Sequence, residues 1–226
     1  KTTVNYNRDV EIFPVLNAML TEIAGKPVYR SPTDMGVNMA GFCIVDDDVV
    51  CAAAKQEIIR RYYEAACSAK LGLSEAAVVY RIELLMNQLG ISVQDRAVVK
   101  AALDKAEETN APACAIQLEN GKLITGKTSA LLGASSAMLI NVLKDLAGIP
   151  DGMYLLSPAV IEPIQELKVN HMGNHNPRLH TDEVLIALSI CAATNPMAKL
   201  ALAQLPKLRD LEAHSSVILS SVDSQT

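Results

Sequence analysis

The sequence predicts a mixed α/β protein, in which a helical up-and-down bundle subdomain (residues 1–110) precedes a three-layer α/β/α subdomain (residues 111–226). In the first half, apolar residues recur at helical spacing, and Gly25, Gly72 and Gly90 end the first three runs. The second half mixes hairpin and strand patterns with helical ones, which is typical of a layered domain. The composition changes at the Asn-Ala-Pro segment, residues 110–112, which we take as the subdomain boundary.

The first half is predicted to contain successive helices with short connections. One helix ends at Gly25, and the acidic run at 46–48 opens a long helix to about Leu71. The carboxylates of that run complement the positive end of the helix dipole. Two further helices begin at Ser74 and Ser92, because serine is a favoured N-cap residue. Short links between helices predict an antiparallel bundle.

A β-hairpin opens the second half, with strands at about 113–118 and 122–126 around an Asn-Gly turn. Residues 121–128 also match the nucleotide-binding pattern G-x-x-x-x-G-K-[ST]. A phosphate loop follows a buried strand and opens a helix, whereas the hairpin places the variable positions inside a strand. We interpret the match as accidental, with a true phosphate loop as the alternative.

The remaining elements are predicted from turn signals and apolar runs. They are a helix at about 136–147, a strand at 153–157, a helix from Pro158, a helix from Thr181 to about Ala193, a last strand at 216–221, and a frayed tail at 223–226. The helix from Thr181 is apolar on nearly every face, which predicts that it is deeply buried. Hairpin, helix, strand and helix is also the order of zinc-dependent nucleobase deaminases. Deaminase-like topology is therefore an expectation, but the zinc ligands of that chemistry are missing from the sequence.

Composition and charge exclude several classes of function. A net charge of −5 without a basic face argues against a nucleic-acid partner. Five cysteines without a C-x-x-C pair argue against disulfides and a zinc site. The longest uncharged run, 128–143, is shorter than the roughly 20 residues of a membrane span. We expect a cytoplasmic protein with no membrane segment and no metal.

Three polar segments are candidates for chemistry, and the first covers residues 29–38. Arg30 can hold a carboxylate or phosphate with its planar guanidinium. Thr33, Asp34 and Asn38 carry short polar side chains that can orient a ligand. The alternative is a turn in which these side chains bond to their own backbone.

The second segment, residues 170–180, contains three of the four histidines. His171 and His175 are candidates for proton transfer, because histidine titrates near neutral pH, and Asn174 is a candidate ligand-binding residue. No H-E-x-x-H pattern supports a metal. A histidine-rich structural loop is the alternative.

The third segment, residues 125–136, is rich in Gly, Ser and Thr and includes Lys127 and Thr128. A helix that begins near Ser136 would direct free N–H groups into it, which favours a phosphate site. The alternative is a serine cap beside an exposed lysine.

Together, these segments predict an enzyme, or the C-terminal part of one, that binds a phosphorylated or carboxylated small metabolite at the subdomain junction. His171, His175 and Asp34 would be its catalytic groups, and Arg30, Thr33, Asn38, Lys127, Thr128 and Asn174 would bind the anion. No cofactor is indicated. The alternative function is a non-catalytic module for assembly into a homo-oligomer, which is the form we expect in either case.

Three long stretches, residues 5–20, 29–65 and 174–196, resemble an uncharacterised bacterial family, one of the domain-of-unknown-function groups. Some of its members carry the automatic label "ATP-dependent zinc protease". Family members are longer, so the resemblance implies that this chain is a C-terminal portion. It also implies a helical subdomain followed by a three-layer α/β subdomain. It implies no reaction.

Overall fold

The computed structural model describes residues 18–26 and 47–226. The chain forms two compact units, Lys1–Arg96 and Ala97–Thr226. Residues 18–24 are helical, and Gly25 follows with a φ of 65°, a left-handed conformation that suits a glycine at a helix end. The rest of the predicted first helix lies outside the described residues, as does the whole polar segment at 29–38.

In the first unit, helix α1 (Asp47–Lys70) packs against helix α2 (Ala76–Leu89), which confirms both predicted helices. Gly90 ends α2 with a φ of 63°. The Tyr62 hydroxyl donates to Glu83 across the pair at 3.3 Å. The contact is apolar because each helix buries one face, made of Ala54, Ile58 and Ile59 on α1 and Ile82, Leu85 and Met86 on α2.

The second unit is built on an antiparallel sheet of strands β1 (Ala113–Gln117), β2 (Leu123–Lys127) and β3 (Glu212–Ser215), in the order β2-β1-β3. The hairpin is confirmed, and Gly121 makes its turn with a φ of 82°. The variable positions of the nucleotide-binding pattern therefore lie at the turn and in β2. Because no helix follows directly, this segment is not a phosphate loop.

Two helices cover the sheet, and the result is a mixed α/β fold, as predicted. Helix α3 (Ala97–Thr109) packs on all three strands, and helix α4 (Ala134–Leu146) packs on β1 and β2. Side chains that alternate along β1 are buried on both faces, so the two helices lie on opposite sides. The contacts of α3 place it in the second unit, so the units divide after Arg96, whereas the composition of the sequence places the boundary at 110.

The chain beyond α4 completes the second unit with short elements around the core. These are helix α5 (Pro158–Glu166) with a π-helical turn (Leu167–His171), helix α6 (Thr181–Ala192), helix α7 (Pro196–Leu202), a 3-10 turn (Leu205–Leu208) and helix α8 (Ser221–Gln225). The predicted starts at Pro158 and Thr181 are confirmed.

Three predictions for this part were wrong. Residues 153–157 are not a strand: they form bends and irregular backbone, and in the described chain they pair with no strand of the sheet. The deaminase order is therefore not formed in the described chain. The last strand is β3 at 212–215, not 216–221, and the expected frayed tail at 223–226 belongs largely to helix α8.

The apolar helix α6 is also less buried than predicted. Its inner face, including Val184 and Leu188, is fully buried, but Ile186 and Ile190 are 58% and 53% exposed. Helix α6 therefore has apolar residues on nearly every face but is fully buried only on its inner face. None of the helices among residues 18–26 and 47–226 has the length and apolar character that crossing a bilayer requires.

Candidate functional site

A cavity of about 270 Å³ opens on the second unit, where three distant parts of the chain meet. One wall is the start of α4, with Gly133, Ala134 and Ser135. A second wall is the segment that leads into α6, including Arg178 and His180. The third is formed by residues 217–220 and Asp223. Polar groups from all three walls therefore border one space.

The start of α4 presents uncapped N–H groups to the cavity. Gly133 is its N-cap residue, and no side chain within the described ranges caps the first turn. Ser135, in this turn, is only 8% exposed, and its hydroxyl has no hydrogen-bond partner in the described chain. By contrast, the buried Ser136 hydroxyl donates to the carbonyl of Leu179 at 2.9 Å. Ser135 is thus the serine of this pair that is available to a ligand.

A short backbone seam places the second wall against the first. Leu132 and Leu179 form an isolated parallel bridge. The N–H of Leu179 donates to Leu131 O at 2.9 Å, and the N–H of Gly133 donates to Leu179 O at 3.2 Å. A Cβ atom on Gly133 would lie 3.7 Å from Leu179 O and 4.0 Å from Ser135 Oγ. The carbonyl of Leu179 and the Ser135 hydroxyl therefore both lie beside Gly133.

Arg178 brings a positive charge to the cavity. Its Nε donates to Ser129 O at 2.7 Å, which ties the guanidinium to the loop before α4. Among the residues that the structure describes, no carboxylate pairs with this guanidinium. Because a guanidinium has five N–H donors, the group retains donors for an anion.

His180 and Asp223 form a hydrogen-bonded pair at the edge of the cavity. His180 Nδ1 lies 2.9 Å from Asp223 Oδ2, and the two side chains are 30% and 10% exposed. Asp223 Oδ1 accepts from the N–H of Thr181 at 2.9 Å and from its hydroxyl at 2.7 Å. Ser220 Oγ donates to Oδ2 at 2.9 Å. Burial opposes the charge of Asp223, but hydrogen bonds from Thr181, His180 and Ser220 outweigh it and lower the pKa of this carboxyl.

A buried ion pair fixes the segment that carries Arg178 and His180. Lys168 is 2% exposed, and its Nζ donates to Glu183 Oε2 at 2.7 Å and to Arg178 O at 2.6 Å. The same Glu183 oxygen accepts from the N–H of His180 at 2.8 Å, while the N–H of Glu183 donates to Asp182 and not to the His180 ring. One lysine therefore links the arginine, the histidine and the helix behind them.

Asp223→Asn is expected to lower the free energy of unfolding by about 2 kcal/mol, because hydrogen bonds to a charged group contribute about 1.5–3 kcal/mol. Since the folded-state pKa of Asp223 is lowered, its stabilising contribution is present above the unfolded pKa of about 3.9 and is lost as the pH falls below it. Urea unfolding at neutral pH and at acidic pH measures both effects. Gln225→Ala, in the same short helix, is the control. Equal acid sensitivity in the wild type and Asp223→Asn would contradict this assignment.

The structure brings only some of the predicted site residues to this cavity. Thr128 lines it. Lys127, at the end of β2, is exposed and does not line it. His171, Asn174 and His175 are exposed on the segment before the cavity and do not line it either. Arg30, Thr33, Asp34 and Asn38 lie outside the described residues, so their roles stay predictions.

Sequence reasoning missed Ser135, Arg178, His180 and Asp223 as a group. His180 lies in the predicted histidine segment, but the sequence indicated only that it lies next to the start of the helix at Thr181. Asp223 lies in the tail that we expected to fray. Its one local signal is the spacing Ser220-x-x-Asp223, which resembles a capping box. Within the described chain, no three His, Cys, Asp or Glu side chains are grouped as metal ligands.

Family models match both parts of the chain. Residues 94–226 match "Domain of unknown function DUF1846, C-terminal", and residues 1–90 match "Domain of unknown function DUF1846, N-terminal". The chain is 53% identical over 223 residues to a UPF0371 protein of Streptococcus pneumoniae and 54% identical to one of Streptococcus thermophilus. Each alignment covers 99% of this chain and 45% of the relative, so the chain spans less than half the length of these curated relatives. The matches to both family models and to these two streptococcal proteins show that the chain belongs to the DUF1846 family.

Proposed function

We propose that the second unit binds a small anionic metabolite, phosphorylated or carboxylated, in the cavity at the start of α4, as part of an enzyme. The observation that carries this proposal is the combination of groups in that cavity. A guanidinium without a carboxylate partner in the described chain lies beside an uncapped helix start and the unbonded Ser135 hydroxyl. A ligand anion would satisfy all three.

The start of α4 suits an anion for physical reasons. The N–H groups of a first helical turn have no intrahelical acceptor, and the helix dipole places about half a positive charge there. Ser135 adds a hydroxyl donor that is already more than nine-tenths buried, so little further desolvation is needed to bond it to a ligand. These donors require no movement of the backbone.

Arg178 supplies the charge that the helix start lacks. The chain has a net charge of −5, so general attraction of anions is not expected, and binding depends on local cations. The bond from Nε to Ser129 O holds the guanidinium in place before a ligand arrives, which limits the side-chain entropy lost on binding. At about 270 Å³, the cavity suits a small metabolite or the charged end of a larger one.

Arg178→Gln is expected to weaken the binding of methyl phosphate about tenfold or more, because a charge-assisted hydrogen bond contributes about 1.5–3 kcal/mol. Isothermal titration calorimetry at low ionic strength measures the change. The control is Arg209→Gln, which removes an exposed arginine that does not line the cavity. Equal weakening in both variants would indicate loss of general attraction, and an unchanged affinity in Arg178→Gln would sink the proposed site.

A further inference from the structure

The His180–Asp223 pair has a geometry that anion binding alone does not require. Asp223 occupies Nδ1, and its lowered pKa keeps it ionised near neutral pH, so the ring donates from Nδ1 to a carboxylate. The other ring nitrogen, Nε2, has no hydrogen-bond partner in the described chain, and the residue lines the cavity. A carboxylate on Nδ1 also compensates the charge that the ring gains when Nε2 takes up a proton.

We propose that the cavity binds the dianionic phosphoryl group of a phosphate monoester. In the complex, His180 carries a proton on Nε2, and this N–H donates a hydrogen bond to a phosphoryl oxygen. This inference rests on the proposed function and names the class of its ligand. Asp223 is a positioning residue in it, and no bond to phosphorus is made or broken.

The separate origins of the donors favour a phosphoryl group over a carboxylate. Donors come from three parts of the site: the first turn of α4 with Ser135, the guanidinium of Arg178, and the ring of His180. A phosphate monoester offers three terminal oxygens in a tetrahedral arrangement. A carboxylate can accept as many hydrogen bonds, but its two oxygens lie in one plane and match donors from three directions less well.

The charges that line the cavity fit a dianion bound together with one proton. Arg178 supplies one positive charge to the cavity. A dianion is neutralised by two positive charges, and in this proposal the second is the proton on His180, which becomes part of the complex.

The other ionisable groups that face this corner do not supply the proton. Glu183 on α6 is paired with Lys168, and Asp182 accepts the N–H of Glu183. Asp223 on α8 is held ionised by its hydrogen bonds. On β1, burial raises the pKa of the Cys114 thiol, so this group is uncharged near neutral pH. His180 is left as the group to which this proposal assigns the proton.

The test titrates the 226-residue chain with sulfate from about pH 5.5 to about pH 8.5, a range that spans ordinary histidine titration. Sulfate has the shape of a phosphoryl group and stays a dianion throughout, so any change with pH belongs to the protein. Isothermal titration calorimetry in two buffers of different ionisation enthalpy also counts the protons taken up. The wild type should lose up to about tenfold in affinity for each pH unit above neutrality, with uptake of up to one proton. His180→Gln should bind weakly, with neither effect.

Three further arms make the outcomes distinct. Asp223→Asn, if folded, should bind sulfate less tightly than the wild type, and His180→Gln keeps the test valid if Asp223→Asn is unstable. His175→Gln tests the competing histidine, and loss of the pH dependence there would overturn the assignment to His180.

Methyl phosphate should bind at least tenfold tighter than acetate at pH 6. Equal affinities for methyl phosphate and acetate would contradict the proposal that the ligand is a phosphate monoester. If the wild type bound sulfate with an affinity that does not change with pH, the proposed proton on His180 would be wrong and the proposed anion site would remain. If no anion bound at all, both the proton and the anion site would be wrong.

Discussion

Replacing Gly126 by alanine is expected to destabilise the second unit by more than about 3 kcal/mol, or to prevent its folding. A Cβ atom at this position would overlap the backbone nitrogen of Met138 and lie 2.6 Å from the carbonyl carbon of Ala137. Backbone atoms cannot rotate away as a flexible side chain can. Relief of the overlap would therefore require helix α4 to move away from the sheet.

The reason lies in the register of the hairpin. Gly126 is paired with Cys114 in β1, on the face that α4 covers, so the helix backbone approaches the strand directly. Gly152→Ala is a matched control, because a Cβ atom there would meet nothing within 4 Å. Urea or thermal unfolding measures both variants. If Gly126→Ala lost less than about 1 kcal/mol, the close contact between β2 and α4 would be incorrect.

Lys168→Met is expected to lower the free energy of unfolding by about 3–5 kcal/mol, which is the usual cost of removing one partner of a buried ion pair. Glu183 would keep its charge but lose its cation, and Arg178 O would lose its donor. Urea unfolding measures the loss, and Lys207→Met, at an exposed lysine, is the control.

The same variant is also expected to weaken methyl phosphate binding, because the segment with Arg178 and His180 would no longer be held in place. Calorimetry under conditions where the variant is folded measures this effect. Normal affinity together with the expected loss of stability would show that Lys168 supports the fold but does not position the cavity. Normal stability would show that water screens the pair.

Local sequence signals predicted the hairpin and most of the helices because their causes are local. An Asn-Gly turn needs only its own two residues to reverse the chain, and Gly90 or Gly148 can end a helix without help from other segments. The strand predicted at 153–157 failed because a strand also needs a neighbour. The chain there offers two consecutive leucines to the core and continues directly into α5.

The candidate site could not be predicted in the same way. The segment around His180 was recognised as polar and rich in histidine, but the choice among three histidines depends on a residue 43 positions later. Asp223 reaches His180 only because the chain beyond β3 turns back over the start of α6. A sequence pattern that covers only a few residues contains no information about this long-range contact.

The seam between Leu132 and Leu179 has a consequence for the order of folding. It joins backbone groups that are far apart in sequence, as the bond from Ser136 to Leu179 across 43 positions shows. Closing so large a loop costs chain entropy before any contact compensates for that cost in free energy. Segments near in sequence, such as the hairpin, can therefore form first, and the ligand-binding surface matures in the late, cooperative stage. A nascent or partly denatured chain would hold all four side chains of the cavity and still lack the ability to recognise a metabolite.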